Sequence, residues 1–146
     1  MRIVVDDKIP YIRDVISRIT DDVAYIKGSD ISAADVKGAD AMIVRTRTRC
    51  NRNLLEGSNV KFIATATIGY DHLDTEYLKE AGIKWINCPG CNSGSVAQYI
   101  RSVLILLNRY KGLVPEHSTL AIVGYGHVGK KVKAVAESMG FNVIIN

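Results

Sequence analysis

A chain of 146 residues, 47% hydrophobic and 23% charged, has the apolar mass for a sizeable core and too little charge for disorder. Its net charge of +4 is mild, and its cations lie scattered at helical spacing, not in a stripe interleaved with aromatics, so no nucleic-acid partner is expected. The longest unbroken apolar run, Val103 to Leu107, is far below the ~20 residues of a membrane span.

The amino terminus opens Met1-Arg2-Ile3-Val4-Val5-Asp6, an apolar run too short for a signal peptide, and the cysteines are odd in number; both suit a reducing cytoplasm. Ile3 to Val5 predicts a strand, and Ile12, Val15, Ile16 and Ile19 the apolar stripe of a helix. Val23 to Ile26 predicts a second strand, and Ser32 to Val36 a short helix capped by Asp30 or Ser32. Ala41 to Val44 follows as a third strand, with a helical turn around Arg52 to Leu55. Phe62 to Ala66 is the fourth, Asp74 to Ala81 a helix ended by Gly82, and Ile83 to Ile86 the fifth. Strands apolar throughout are buried on both faces, and helices between them predict a parallel sheet in a doubly wound α/β arrangement.

Asn87 to Gly94 is turn-rich. The helix expected over Ser95 to Tyr110 carries apolar residues around most of its circumference, which reads as a spine buried between two bodies. Lys111 to Ser118, with Gly112 and Pro115, reads as a linker. The apolar strand Thr119 to Val123 then runs into Gly124-Tyr125-Gly126-His127-Val128-Gly129, a helix to Met139 and a strand from Phe141 to Ile145. GxGxxG alone is weak evidence, but strand, GxGxxG, helix and strand in succession are the fingerprint of dinucleotide binding. Gly124 permits the turn, Gly126 lets the backbone approach a diphosphate, and Gly129 lets helix pack on strand. The amides of His127 and Val128 become the candidate donors to that diphosphate. The ribose-contacting acid expected about 20 residues on falls near Ile144, and the sequence stops at Asn146 without one.

Val44-Arg45-Thr46-Arg47-Thr48-Arg49 stands at the carboxyl end of the third strand. If the strand continues, alternation sends all three arginines to one face, where guanidinium groups suit a phosphate or carboxylate; the alternative is a solvated basic edge. The fourth strand ends Thr65-Ala66-Thr67-Ile68-Gly69-Tyr70-Asp71-His72, whose hydroxyls are candidate donors to a substrate carboxylate or merely β-favouring residues. His72 is a candidate base, against a helix-capping turn built on Asp71 and Asp74. Cys88-Pro89-Gly90-Cys91 has the spacing of a redox dithiol, though a plain turn is favoured, and no second ligand pair completes a metal site.

Together, Ile3-Val4-Val5-Asp6, Val44-Arg45-Thr46, Phe62 through His72, Pro89-Gly90-Cys91-Asn92 and the glycine turn resemble the D-isomer-specific 2-hydroxyacid dehydrogenases. The resemblance implies a flavodoxin-like parallel-sheet substrate domain, with residues 1–94 as its amino-terminal part. A spine helix and linker would occupy 95–118, and the first βαβ unit of an NAD-binding Rossmann domain 119–146. It also implies substrate contacts at Thr46 and Thr67 with Arg45 beside them, and NAD held by Gly124, Gly126, His127, Val128 and Gly129. Hydride would pass between C2 of a small phosphorylated 2-hydroxy acid and the nicotinamide, and a homodimer is expected. The Pro-Gly-Cys-Asn element narrows the likeness to the subfamily acting on 4-phospho-erythronate in pyridoxal phosphate biosynthesis; a phosphoglycerate dehydrogenase is the alternative.

The family's catalytic Arg, Glu and His fall beyond residue 146, so the chain reads as an amino-terminal fragment without activity of its own. Gln98 stands where much of the family carries Glu. A non-catalytic nucleotide-binding module is the rival of another class, and a thiol oxidoreductase the third.

Overall fold

The computed structural model describes residues 1–146 as two compact units, Met1–Pro89 and Gly90–Asn146. The first is a five-stranded parallel sheet of β1 (Ile3–Asp6), β2 (Val23–Ile26), β3 (Ala41–Val44), β4 (Phe62–Thr65) and β5 (Lys84–Ile86), in the order β2-β1-β3-β4-β5. Between the strands run α1 (Ile12–Ile16), α2 (Ala33–Val36), α3 (Arg52–Leu55) and α4 (Thr75–Glu80). The apolar run of β1 is buried on both faces, as a central parallel strand requires. Val4, with Met42, Val44 and Ile63, packs against Val36, Leu54, Leu55 and Leu78 of α2, α3 and α4. Val5, pointing the other way with Ile3 and Ala41, meets Ile16 of α1. Chain order reverses between β1 and β3, and the carboxyl ends of those strands are where such sheets bind ligands.

Several boundaries differ from the sequence reading. α1 closes at Ile16, and Ile19 is exposed despite continuing the stripe, because the chain turns there through Ile19 N–H to the Ile16 carbonyl. β5 starts one residue later than expected, at Lys84. β3 stops at Val44, and Thr48 N–H bonds the Arg45 carbonyl at 3.2 Å, so residues 45–48 turn instead of extending the strand. Asp74 precedes α4 and caps it, its carboxylate accepting from Tyr77 N–H at 3.0 Å.

The second unit holds α5 (Ser93–Lys111), a 3-10 turn at Pro115–His117, β6 (Thr119–Ile122), α6 (His127–Ser138) and β7 (Asn142–Ile145). β6 and β7 pair in parallel with each other alone. Its core joins Ala97 and Leu104 of α5 to Ile122, Val132, Ala136 and Phe141. The sequence reading expected α5 to be covered on nearly all sides. It buries only the stripe that meets α6 and the strands, while Tyr99, Ile105, Leu106 and Tyr110 are exposed. No helix is long and apolar enough to cross a membrane.

Candidate functional site

The carboxyl end of β1 carries a residue whose role the sequence reading missed. Asp6 ends an otherwise apolar strand and is fully buried. A carboxylate there must be paired and hydrogen-bonded. It accepts from Arg45 Nε at 3.0 Å, from Arg45 Nη2 at 3.2 Å and from the Lys8 amide at 2.9 Å. The fork is bidentate, which fixes the guanidinium plane while leaving Arg45 one-third exposed. A charged residue closing a wholly apolar strand was the available signal.

Gly28 completes this corner. A Cβ there would lie 2.5 Å from Asp6 Oδ2 and 3.1 Å from Thr48 Oγ1, and the Thr48 hydroxyl donates to the Gly28 carbonyl at 2.8 Å. The end of β1, the loop after β2 and the turn after β3 are thereby tied together. The three arginines do not share a face. Arg45 turns to Asp6, Arg47 and Arg49 line a cleft with Gly28 and Asn51, and Arg49 also borders a second cleft with Thr46, Gly69, Asp71 and His72. Their separation follows from the turn that replaces the expected strand extension.

At the end of β4, Thr65 is buried, Thr67 half-buried and His72 buried. Thr65 Oγ1 stands 2.6 Å from Thr67 Oγ1 and 2.9 Å from His72 Nε2, and the Thr67 hydroxyl donates to the Gly69 carbonyl at 2.9 Å. Without a ligand, these hydroxyls are bonded to one another and to the Gly69 carbonyl. Burial lowers the His72 pKa, and the Asp71 carboxylate opposes that shift.

In the second unit, Gly124 has φ +90°, a left-handed conformation that favours glycine. A Cβ on Gly129 would collide with the Gly124 carbonyl oxygen, so the third glycine lets the helix seat on the turn. A Cβ on Gly126 would meet nothing within 4 Å, which leaves the approach to the helix start open. Gly126 caps α6, and its carbonyl accepts the first helical bond from Lys130 N–H at 3.1 Å. The amides of His127, Val128 and Gly129 precede that bond, so the helix itself supplies them no carbonyl partner. The His127 imidazole lies over Gly90, where a Cβ would come within 2.7 Å of its Cγ.

All three cysteines are free; Cys88 and Cys91 are exposed, whereas burial pushes the Cys50 thiol up to about 12. No three His, Cys, Asp or Glu side chains are grouped as a metal site.

The model of the D-isomer specific 2-hydroxyacid dehydrogenase catalytic domain matches residues 3–140. Erythronate-4-phosphate dehydrogenase of Bacteroides fragilis is 56% identical over all 146 residues, which span 42% of that protein. The protein of that name from Cronobacter sakazakii is 40% identical over 145 residues, 99% of this chain and 38% of its own. Among solved structures, NAD+-bound 3-phosphoglycerate dehydrogenase of Entamoeba histolytica superimposes with a TM-score of 0.77 at 29% identity, covering 100% of this chain and 53% of that one. The TT0316 protein of Thermus thermophilus, at 24% identity and TM-score 0.79 over 99% of this chain and 55% of its own, shares the fold. The chain thus spans about two-fifths of its curated relatives' length and belongs to the D-isomer specific 2-hydroxyacid dehydrogenase family.

Proposed function

We propose that this chain supplies part of the substrate site and the start of the NAD site of an erythronate-4-phosphate dehydrogenase, an enzyme that oxidises 4-phospho-D-erythronate to its 2-oxo acid in pyridoxal phosphate biosynthesis. The carrying observation is the glycine turn of the second unit, with Gly126 open to a ligand and unbonded amides behind it. The relatives' shared name supports the substrate. In this reading Arg45, held by Asp6, offers its exposed guanidinium face to an anionic group of the substrate, with Thr46 and Thr67 beside it. Gly124, Gly126, His127, Val128 and Gly129 hold the cofactor's diphosphate. Bound there, NAD would supply the acceptor for the hydride from C2, with the hydroxyl proton passing to a base. None of these 146 residues is assigned that proton. The reading takes NAD over NADP and a cytoplasmic homodimer, the exposed apolar side chains of α5 supporting the dimer.

The test is a chimera in which these 146 residues replace the matching 42% of the Bacteroides fragilis enzyme. It is expected to form NADH from 4-phospho-D-erythronate, whereas the 146 residues alone form none. A folded chimera that binds NAD and leaves this substrate untouched, while oxidising 3-phosphoglycerate, would reassign the substrate.

A further inference from the structure

The hydroxyl protons at the end of β4 can be counted. A carbonyl only accepts, so the Thr67 hydroxyl, 2.9 Å from the Gly69 oxygen, spends its one proton there. Two hydroxyl oxygens at 2.6 Å need a proton between them, so Thr65 must give its own to Thr67. Thr65 then has none for the imidazole 2.9 Å away, so His72 must donate through Nε2–H. The chain runs His72 Nε2–H to Thr65, Thr65 to Thr67, and Thr67 to the Gly69 carbonyl. With the other tautomer the directions reverse, the Gly69 contact loses its proton, and two bonds remain where there were three. The Val44 carbonyl, 3.4 Å from Thr65 Oγ1, is a longer and weaker outlet for that proton than the Thr67 oxygen at 2.6 Å.

Under either tautomer the Thr67 proton stays inside the protein, and its free capacity is a lone pair. Thr67 therefore offers an acceptor, and suits a ligand group that donates. This inference rests on the substrate reading above. An ionised carboxylate and phosphate have no proton to give, and the C2 hydroxyl loses its proton in the oxidation. The C3 hydroxyl is the remaining donor.

We propose that Thr67 is a specificity-determining residue that accepts a hydrogen bond from the substrate's C3 hydroxyl, and that His72 is a positioning residue orienting it through Thr65. A 2-hydroxy acid with no hydroxyl at C3 would leave the Thr67 lone pair unmet, which sets polyhydroxy acids apart from simpler ones.

The experiment compares kcat/KM of the chimera for 4-phospho-D-erythronate and its 3-deoxy analogue. The ratio is taken within one preparation, so a partly folded variant does not distort it. The unsubstituted chimera is expected to favour the hydroxylated substrate roughly tenfold. Thr67→Val should bring that ratio near one, His72→Leu should lower it, and His72→Gln, whose side-chain amide N–H replaces Nε2–H, should restore it. A ratio near one before substitution, or one unmoved by Thr67→Val, overturns the hydroxyl assignment. Separately, nitrogen-detected NMR of the neutral imidazole in the 146-residue chain is expected to show hydrogen on Nε2 of His72. Hydrogen on Nδ1 overturns the relay. A chimera that binds NAD but oxidises neither compound overturns the substrate reading and the C3 assignment with it, while the tautomer still judges the relay.

Discussion

At the scale of single residues, the Asp6–Arg45 pair links the buried floor of the sheet to a partly exposed cation. Removing one member of such a pair strands the other. Arg45→Met is expected to cost about 2–3 kcal/mol, less than a wholly buried pair because Arg45 is one-third exposed. Asp6→Leu combined with Arg45→Met should be less destabilising than the two single costs summed, as urea midpoints of the four proteins will show; strict additivity would deny the coupling. His72 sets a pH dependence. Its folded pKa lies below the ordinary 6.5, so the unfolded chain takes up the proton first. Stability is therefore full above that value and falls as the pH drops through the lowered folded pKa, and His72→Gln should flatten the acid limb in denaturation series. Cysteine reactivity is the third expectation at this scale. Alkylation of the native chain should modify Cys88 and Cys91 and spare Cys50, whose thiol is buried and pushed up to about 12, with a third adduct by mass spectrometry arguing against its burial.

Among elements, the glycine turn separates two effects of adding one methyl group. Gly129→Ala meets the Gly124 carbonyl, so α6 must shift, at a cost of about 1–3 kcal/mol. Gly126→Ala meets nothing and should leave the melting temperature almost unchanged while weakening NAD binding by calorimetry. The reverse pattern would remove the turn from the cofactor site. The elements also show what local pattern conveys. Strand cores such as Val4-Val5 and Met42, and the Asp74 cap, were legible because their causes lie within a few residues. The partnership of Asp6 with Arg45 spans 39 positions and leaves no periodic trace. The early end of β3 depends on a turn whose residues suit a strand equally well. The exposed side of α5 was illegible for another reason, since composition records that a helix is apolar and not how much of it finds a partner.

Across the whole molecule the two sheets differ in how their backbone groups are satisfied. β1 and β3 lie inside a five-stranded sheet, bonded on both edges, while β6 and β7 have only each other. Unpaired edges open more readily, so amides of β1 and β3 should exchange with solvent most slowly and those of β6 and β7 sooner. Equal protection in both sheets would refute this ordering. The closed corner of Asp6, Gly28, Arg45 and Thr48 has a bearing on how this surface can be altered. These four positions behave as one move in any mutational search, since changing a single member disturbs its neighbours before it reaches a ligand. Thr46, Arg47 and Arg49 are exposed and stand outside that bargain. A library that probes the proposed anion site therefore belongs at those three positions, with the corner left as its fixed frame.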